Sequence, residues 1–223
     1  MIDFSADTAF NKTIPKTTLY GNLPITPALK NIFVKEIEKV IWRNKLSSET
    51  LNVQQGKRVQ EVEVFEIVLK KSSLSEPVLR IIDKGIPYHL LFLLRHGDRY
   101  MACLGYKEAG NLSVMEYFKT SWMLFAELPL QVIGLTMDDV YDNFVRQIHQ
   151  KLEAHTTGTL AEAVKAESRQ RQVEQQIVRL EKLARAEKQP RRKFEMVQAI
   201  QKLEDTKEDK NGKNENAYAG RRG

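Results

Sequence analysis

The sequence predicts an α+β body, with about four strands in a small, mainly antiparallel or mixed sheet and flanking helices, followed by a C-terminal α-helical hairpin or coiled coil and a disordered tail. Three observations carry this. Apolar residues recur at helical spacing around residues 26–45 and 136–152, Val- and Ile-rich runs lie between those stretches, and from Leu160 the composition turns to Ala, Glu, Arg, Lys and Gln. The expected division is an α+β body with an extended N-terminal arm over 1–157, a basic helical hairpin over 158–205 and a disordered tail over 206–223.

Pro15, Pro24 and Gly21-Asn22 mark the first 25 residues as an extended arm. Thr26 offers a hydroxyl cap and Pro27 a first helical residue, and Leu29, Phe33, Ile37, Val40 and Ile41 then predict a helix as far as Lys45. Over Glu61–Lys70, Val62, Val64 and Val68 share one face and Phe65, Ile67 and Leu69 the other, as in a strand buried on both sides. Ser75 and Pro77 open a helix through Ile82 that Gly85 closes, Pro87 launches a strand from Tyr88 to Leu94, and Arg95–Arg99 turns into a returning strand ending at Lys107. A further strand region covers 112–125. Thr136 with Asp139 forms a capping box ahead of a stripe of Tyr141, Phe144, Val145, Ile148 and Leu152. Val173, Ile177, Leu180 and Ala184 keep a seam-like spacing, Gln189-Pro190 breaks the helix, and Phe194, Val197, Ile200 and Leu203 supply a second stripe to face the first.

The chain has 223 residues and a formal charge of +6, and the charge is segregated. Residues 161–223 hold 16 Lys and Arg against 11 Asp and Glu, the remainder 19 against 18. Such a basic appendage suits contact with nucleic acid or an acidic protein surface, and Lys188, Arg191, Arg192 and Lys193 at the hairpin tip are the contact candidates. With no aromatic among them, the expected binding is salt-sensitive and blind to base sequence. No apolar run approaches the ~20 residues of a membrane helix. The single cysteine, Cys103, cannot build an internal disulfide or a thiolate zinc site, and the expected location is cytoplasmic.

No phosphate loop, dinucleotide fingerprint, zinc-helix pair or nucleophile elbow is present, and the four histidines are too scattered for a ligand set, so no metal site is expected from them. The sharpest enzymatic pattern is that of PD-(D/E)xK nucleases, whose element order is similar and whose carboxylates hold Mg²⁺. Asp83 and Lys107 occupy corresponding places, with Glu63 or Glu66 to replace the missing carboxylate, because Gly105 stands two residues before Lys107. Mg²⁺ is implied only under that reading. Glu66 interrupts an apolar face and needs a partner such as Lys107 if buried. Lys84, Pro87 and Trp122 are pocket candidates, with helix closure by Gly85 and core packing by Trp122 as the structural alternatives.

Ile14-Pro15-Lys16, Trp42 with Lys45-Leu46, Glu63 through Leu69, Ile82-Asp83-Lys84 with Ile86-Pro87, Tyr106-Lys107, Trp122, and Glu187 through Lys193 form a set spanning the chain to about Leu203. In this set the chain resembles a bacterial family of domain-of-unknown-function proteins, a little over 200 residues long, found beside helicase and DNA methyltransferase genes in restriction-like defence loci. Pro190-Arg191 departs from the aromatic-Asn pair of that pattern. The resemblance brings no catalytic assignment. It implies an accessory or scaffold protein, non-catalytic, working with a helicase or DNA methyltransferase. A homo-oligomer through the C-terminal helices remains open, as does a degenerate or active PD-(D/E)xK-like nuclease.

Overall fold

The computed structural model describes residues 4–23, 25–108, 110, 113–149 and 159–219, with side chains described as far as Asp205. Contacts divide the chain into two compact units, 1–156 and 157–223. The first contains, among the described residues, a seven-stranded mixed sheet rather than about four strands: β1 (Ala9–Ile14), β2 (Ile37–Ser47), β3 (Glu61–Leu69), β4 (His89–His96), β5 (Arg99–Lys107), β6 (Val114–Lys119) and β7 (Met123–Leu124). The first six lie side by side in chain order, and β7 pairs with the start of β5. Only β3 and β4 run parallel, because a helix joins them. The helices of this unit are α1 (Lys16–Asn22), α2 (Pro27–Glu36), α3 (Ser48–Leu51), α4 (Glu76–Gly85) and α5 (Met137–Ile148).

Of the additional strands, β1 comes from the arm, β2 from the long predicted helix, and β7 from the region 112–125, which holds two strands in place of one. Thr26 Oγ1 does accept from Leu29 N at 3.3 Å and Pro27 does open α2, but the helix stops at Glu36. Residues 37–47 form β2, between β1 and β3. Bulges between Ile37 and Lys39 and between Trp42 and Asn44 explain the misreading. An inserted residue turns a two-residue strand spacing into three, so Ile37 and Val40 both reach the same core while mimicking a helical stripe. β-branched and aromatic residues pack better on a pleated sheet, and the ladder partners on both sides outweigh local helix preference. The arm is extended only in part: it forms β1, an edge strand whose bulge holds Asn11 at φ 48°, and then, against expectation, the helix α1 over Lys16–Asn22.

Both faces of β3 are buried, as its composition predicts. On one side Phe33 of α2 and Val78, Leu79 and Ile82 of α4 pack with Phe65, Ile67, Phe92 and Cys103. On the other, α5 lies against β5 and β6 with Val140, Tyr141, Phe144, Val145 and Ile148 buried; Leu152 lies outside the described residues. The Thr136/Asp139 capping box is formed. Two local readings change. Ser75 makes no side-chain cap on α4; its N–H and hydroxyl both donate to Glu36, at 2.7 Å each. Gly85 is the last residue of α4, and its missing Cβ leaves room for the Leu23 side chain packed against it.

The second unit holds α6 (Leu160–Ala186) and α7 (Pro190–Ala219), which pack against each other. Thr159 and Glu162 cap α6 reciprocally, and Pro190 occupies the first position of α7, where its missing N–H costs nothing. Val173, Ile177 and Leu180 are half-buried and Ala184 buried, whereas Phe194 and Val197 stay 62% and 47% exposed; in α7 Met196, Ala199, Ile200, Leu203 and Glu204 are half-buried. Residues 206–219, expected as disordered tail, continue α7, and 220–223 lie outside the described residues. Among the described residues no helix is long and apolar enough to cross a membrane.

Candidate functional site

Asp83 and Lys107, paired by the sequence pattern, meet in the structure. Asp83 sits in the last turn of α4 and Lys107 ends β5, both essentially without solvent exposure, with Asp83 Oδ1 3.1 Å from Lys107 Nζ. Lys107 Nζ also donates to the Tyr88 carbonyl at 2.6 Å, and Tyr117 on β6 donates its hydroxyl proton to Asp83 Oδ2 at 2.5 Å. Burial pushes the Asp83 carboxyl upward, and the Lys107 ammonium and the Tyr117 hydroxyl oppose that push. Burial and the adjacent Asp83 charge likewise push the Tyr117 phenol well above its ordinary range. The group therefore ties α4, the turn after it, β5 and β6 to one another.

A second tyrosine closes the sheet nearby. Pairing of β5 with β4 runs only from His96/Arg99 to Leu91/Leu104, and beyond that point the Tyr141 hydroxyl substitutes for a strand. It accepts from Lys107 N at 3.1 Å and donates to the Gly105 carbonyl at 3.0 Å, satisfying two backbone groups. His89 packs edge-on against that ring, 4.5 Å between centroids. Burial, then the Lys107 and Arg58 charges, lower its imidazole to about 4, so His89 is neutral at neutral pH.

The other two candidate acids do not join this group. Glu63 Oε2 accepts from Trp42 Nε1 at 2.6 Å, and its companions are Glu61 and Lys45, themselves paired at 2.9 Å. Burial raises the Glu63 carboxyl to about 7; the Trp42 bond opposes this, and the neighbouring Glu61 adds to it. Glu66 is buried on the opposite face of β3, held by Arg43 at 2.8 Å and Arg95 at 3.3 Å, so its partners are these arginines and not Lys107. Gly105 cannot hold the missing carboxylate as the structure stands. A Cβ there would lie 2.8 Å from Val114 Cγ2 and 2.9 Å from Tyr117 Cε1, closer than side chains pack. Among the described residues no three of His, Cys, Asp and Glu gather as a metal-binding group. Cys103 is buried in the core, and burial pushes its thiol up to about 12, which removes it as a nucleophile.

Beside the Asp83 group lies a cleft of about 410 Å³ lined by Arg80, Asp83, Lys84, Ile86, Pro87 and Val114, which brings the pocket candidates Lys84 and Pro87 together. Trp122 is not among its walls; it packs half-buried against the hydrophobic core.

A model for a domain of unknown function, DUF4391, matches residues 3–206. The chain belongs to the DUF4391 family. No curated protein and no solved structure matches it. In this DUF4391 chain the remaining contact candidates, Lys188, Arg191, Arg192 and Lys193, are exposed where α6 gives way to α7, with Arg191 3.4 Å from Glu195. The partners that define the site were not foreseen: Tyr117 and Tyr141 near Lys107, Trp42 for Glu63, Arg43 and Arg95 for Glu66. Reading 37–47 as a strand would have supplied Trp42 and Arg43, because β2 pairs directly with β3, whereas Arg95 comes from β4 on the other side of β3.

Proposed function

We propose that this DUF4391 protein is a non-catalytic accessory or scaffold protein that works with a helicase or DNA methyltransferase in a restriction-like or phage-defence system. The α+β body docks the larger partner, and the basic turn of the helical hairpin contacts that partner or nucleic acid. The observation that supports this reading is the commitment of every candidate acid to a structural partner: Asp83 to Lys107 and Tyr117, Glu63 to Trp42, Glu66 to Arg43 and Arg95. Carboxylates so engaged are poor metal ligands, because each would have to surrender a buried partner to bind one. The helicase or methyltransferase association rests on the resemblance set out under Sequence analysis, and the hairpin's role on its segregated charge.

The test is affinity capture of the tagged full chain from its native host, in nuclease-treated lysate, beside a variant carrying Lys188→Gln, Arg191→Gln, Arg192→Gln and Lys193→Gln. Stoichiometric recovery of a helicase or methyltransferase by the parent, reduced in the variant, is the expected result. Recovery of neither enzyme overturns the proposal. One observation favours a second reading, a PD-(D/E)xK-like nuclease: Asp83 and Lys107, the acid and lysine of that sequence pattern, are brought together, 3.1 Å apart. Under that reading Mg²⁺-dependent DNA cleavage is present and is lost on Asp83→Ala.

A further inference from the structure

Sequence spacing assigns Phe194 to the seam of the helical hairpin, and the structure leaves it in solvent. Its ring stands exposed near the start of α7, with Val197 exposed three positions on, while Met196 and Ile200 take the half-buried places. Phe194 is the only aromatic side chain between Leu160 and Tyr218, and it follows directly on the densest run of positive charge. Over residues 182–193, Lys182, Arg185, Lys188, Arg191, Arg192 and Lys193 are all exposed and face a single acid, Glu187. Arg185 and Arg191 have only loose, exposed pairs, with Glu181 at 3.6 Å and Glu195 at 3.4 Å, which contribute little and exchange readily for a phosphate. Lys182, Lys188, Arg192 and Lys193 have no ion-pair partner among the described residues. Phosphates answer these cations, and an unpaired base answers the ring. Arg191 and Phe194 are three residues apart, one turn along the same side of α7, so a strand with a phosphate on Arg191 brings a neighbouring base to the ring. A duplex keeps its base faces stacked on one another and offers Phe194 none. A partner helix needs an apolar stripe, but Val178 and Leu183, the exposed apolar residues of α6, are five positions and so about 140° apart around it.

We propose that the turn end of the hairpin binds single-stranded nucleic acid, DNA or RNA, with Phe194 stacked on an unpaired base and Lys188, Arg191, Arg192 and Lys193 on the flanking phosphates. The inference rests on the reading that these cations are the contact surface, and it adds the class of ligand. Fluorescence anisotropy of the purified full chain with labelled oligo-dT and oligo-U of about 12 nucleotides, and with a DNA duplex of the same length, provides the test. Expected at about 50 mM salt is saturable binding of at least one single strand with Kd below about 10 μM, at least ~5-fold tighter than the duplex. Phe194→Ala should weaken that strand at least ~5-fold, leave the duplex within ~2-fold, and keep the slope of log affinity against log salt, because no phosphate contact is lost; Phe194→Trp should retain the binding. Replacing Arg192 and Lys193 by Gln should instead lower the single-strand slope by about 1.4. Lack of saturation by both single strands, equal affinity for the duplex, or unchanged affinity in Phe194→Ala overturns the inference. If both single strands fail to bind the parent while replacement of the four cations still releases a captured enzyme, the contact reading stands and this inference alone falls. Saturation by an oligo-glutamate peptide and by neither oligonucleotide overturns it in favour of an acidic protein surface.

Discussion

Replacing Lys107 by Met removes one charge from a pair that is almost wholly buried while roughly conserving volume. The Lys107 side chain is 1% exposed and that of Asp83 2%, so neither charge is screened by water. In the variant the Asp83 carboxylate keeps only the Tyr117 hydroxyl, and the Tyr88 carbonyl loses its donor at 2.6 Å. Breaking a buried pair from one side costs about 3–5 kcal/mol, chiefly because a buried charge is left unbalanced. Both tryptophans, Trp42 and Trp122, lie in the first unit, so denaturant unfolding followed by tryptophan fluorescence reports that unit. Losing the ammonium raises the already raised Asp83 carboxyl further. A carboxyl whose folded value exceeds its unfolded one stabilises below the unfolded value and loses that contribution as pH rises through the folded one, so the defect should be larger at pH 8 than at pH 5. Adding Asp83→Asn removes the stranded charge and should recover part of the loss, giving a coupling of about 0.5–3 kcal/mol. A Lys107→Met protein within ~0.5 kcal/mol of the parent at pH 8, or strictly additive single losses, would refute the reasoning.

Glu63, raised to about 7, should contribute stability that is full below pH 4.5 and disappears as pH climbs through about 7, up to about 3 kcal/mol at 1.36 kcal/mol per unit. Glu63→Gln, which can still accept from Trp42, should flatten that slope in pH-dependent unfolding. Neutral His89, held to about 4, acts in the opposite direction as pH falls below 6.5, so the comparison of variant with parent isolates Glu63. Gly105→Glu restores the nuclease-like spacing in sequence but forces a Cβ against Val114 and Tyr117; it should lower unfolding stability by about 1–3 kcal/mol and create no Mg²⁺-dependent cleavage in a plasmid assay. If the hairpin turn contacts duplex DNA, replacing Arg191, Arg192 and Lys193 by Gln should reduce the slope of log affinity against log salt by up to about 3, equally for unrelated sequences.

Capping chemistry and two-sided strands were the legible parts of this chain. Thr26-Pro27 and Thr136/Asp139 mark the starts of α2 and α5 because a side-chain oxygen must meet an orphan N–H there, and nothing else in the fold competes for it. The continuous apolar run of β3 announces burial on both faces. β2 was illegible for a specific reason: two bulges replace its alternation with spacings of three, and only the ladders to β1 and β3 reveal a strand. The site divides in the same way. Asp83 and Lys107 could be paired from their places at a helix end and a strand end. The fate of Glu63 and Glu66 depended on which strand lay beside β3, and that is a long-range fact no local pattern carries.

The account stands on Asp83, Glu63 and Glu66 being structural acids. Its most direct test is incubation of the purified chain with single- and double-stranded DNA in Mg²⁺ and in Mn²⁺, beside a chelated control and Asp83→Asn. The account predicts no cleavage above the chelated control under any of these conditions. Cleavage by the parent that needs the metal and is lost in a folded Asp83→Asn protein would contradict it.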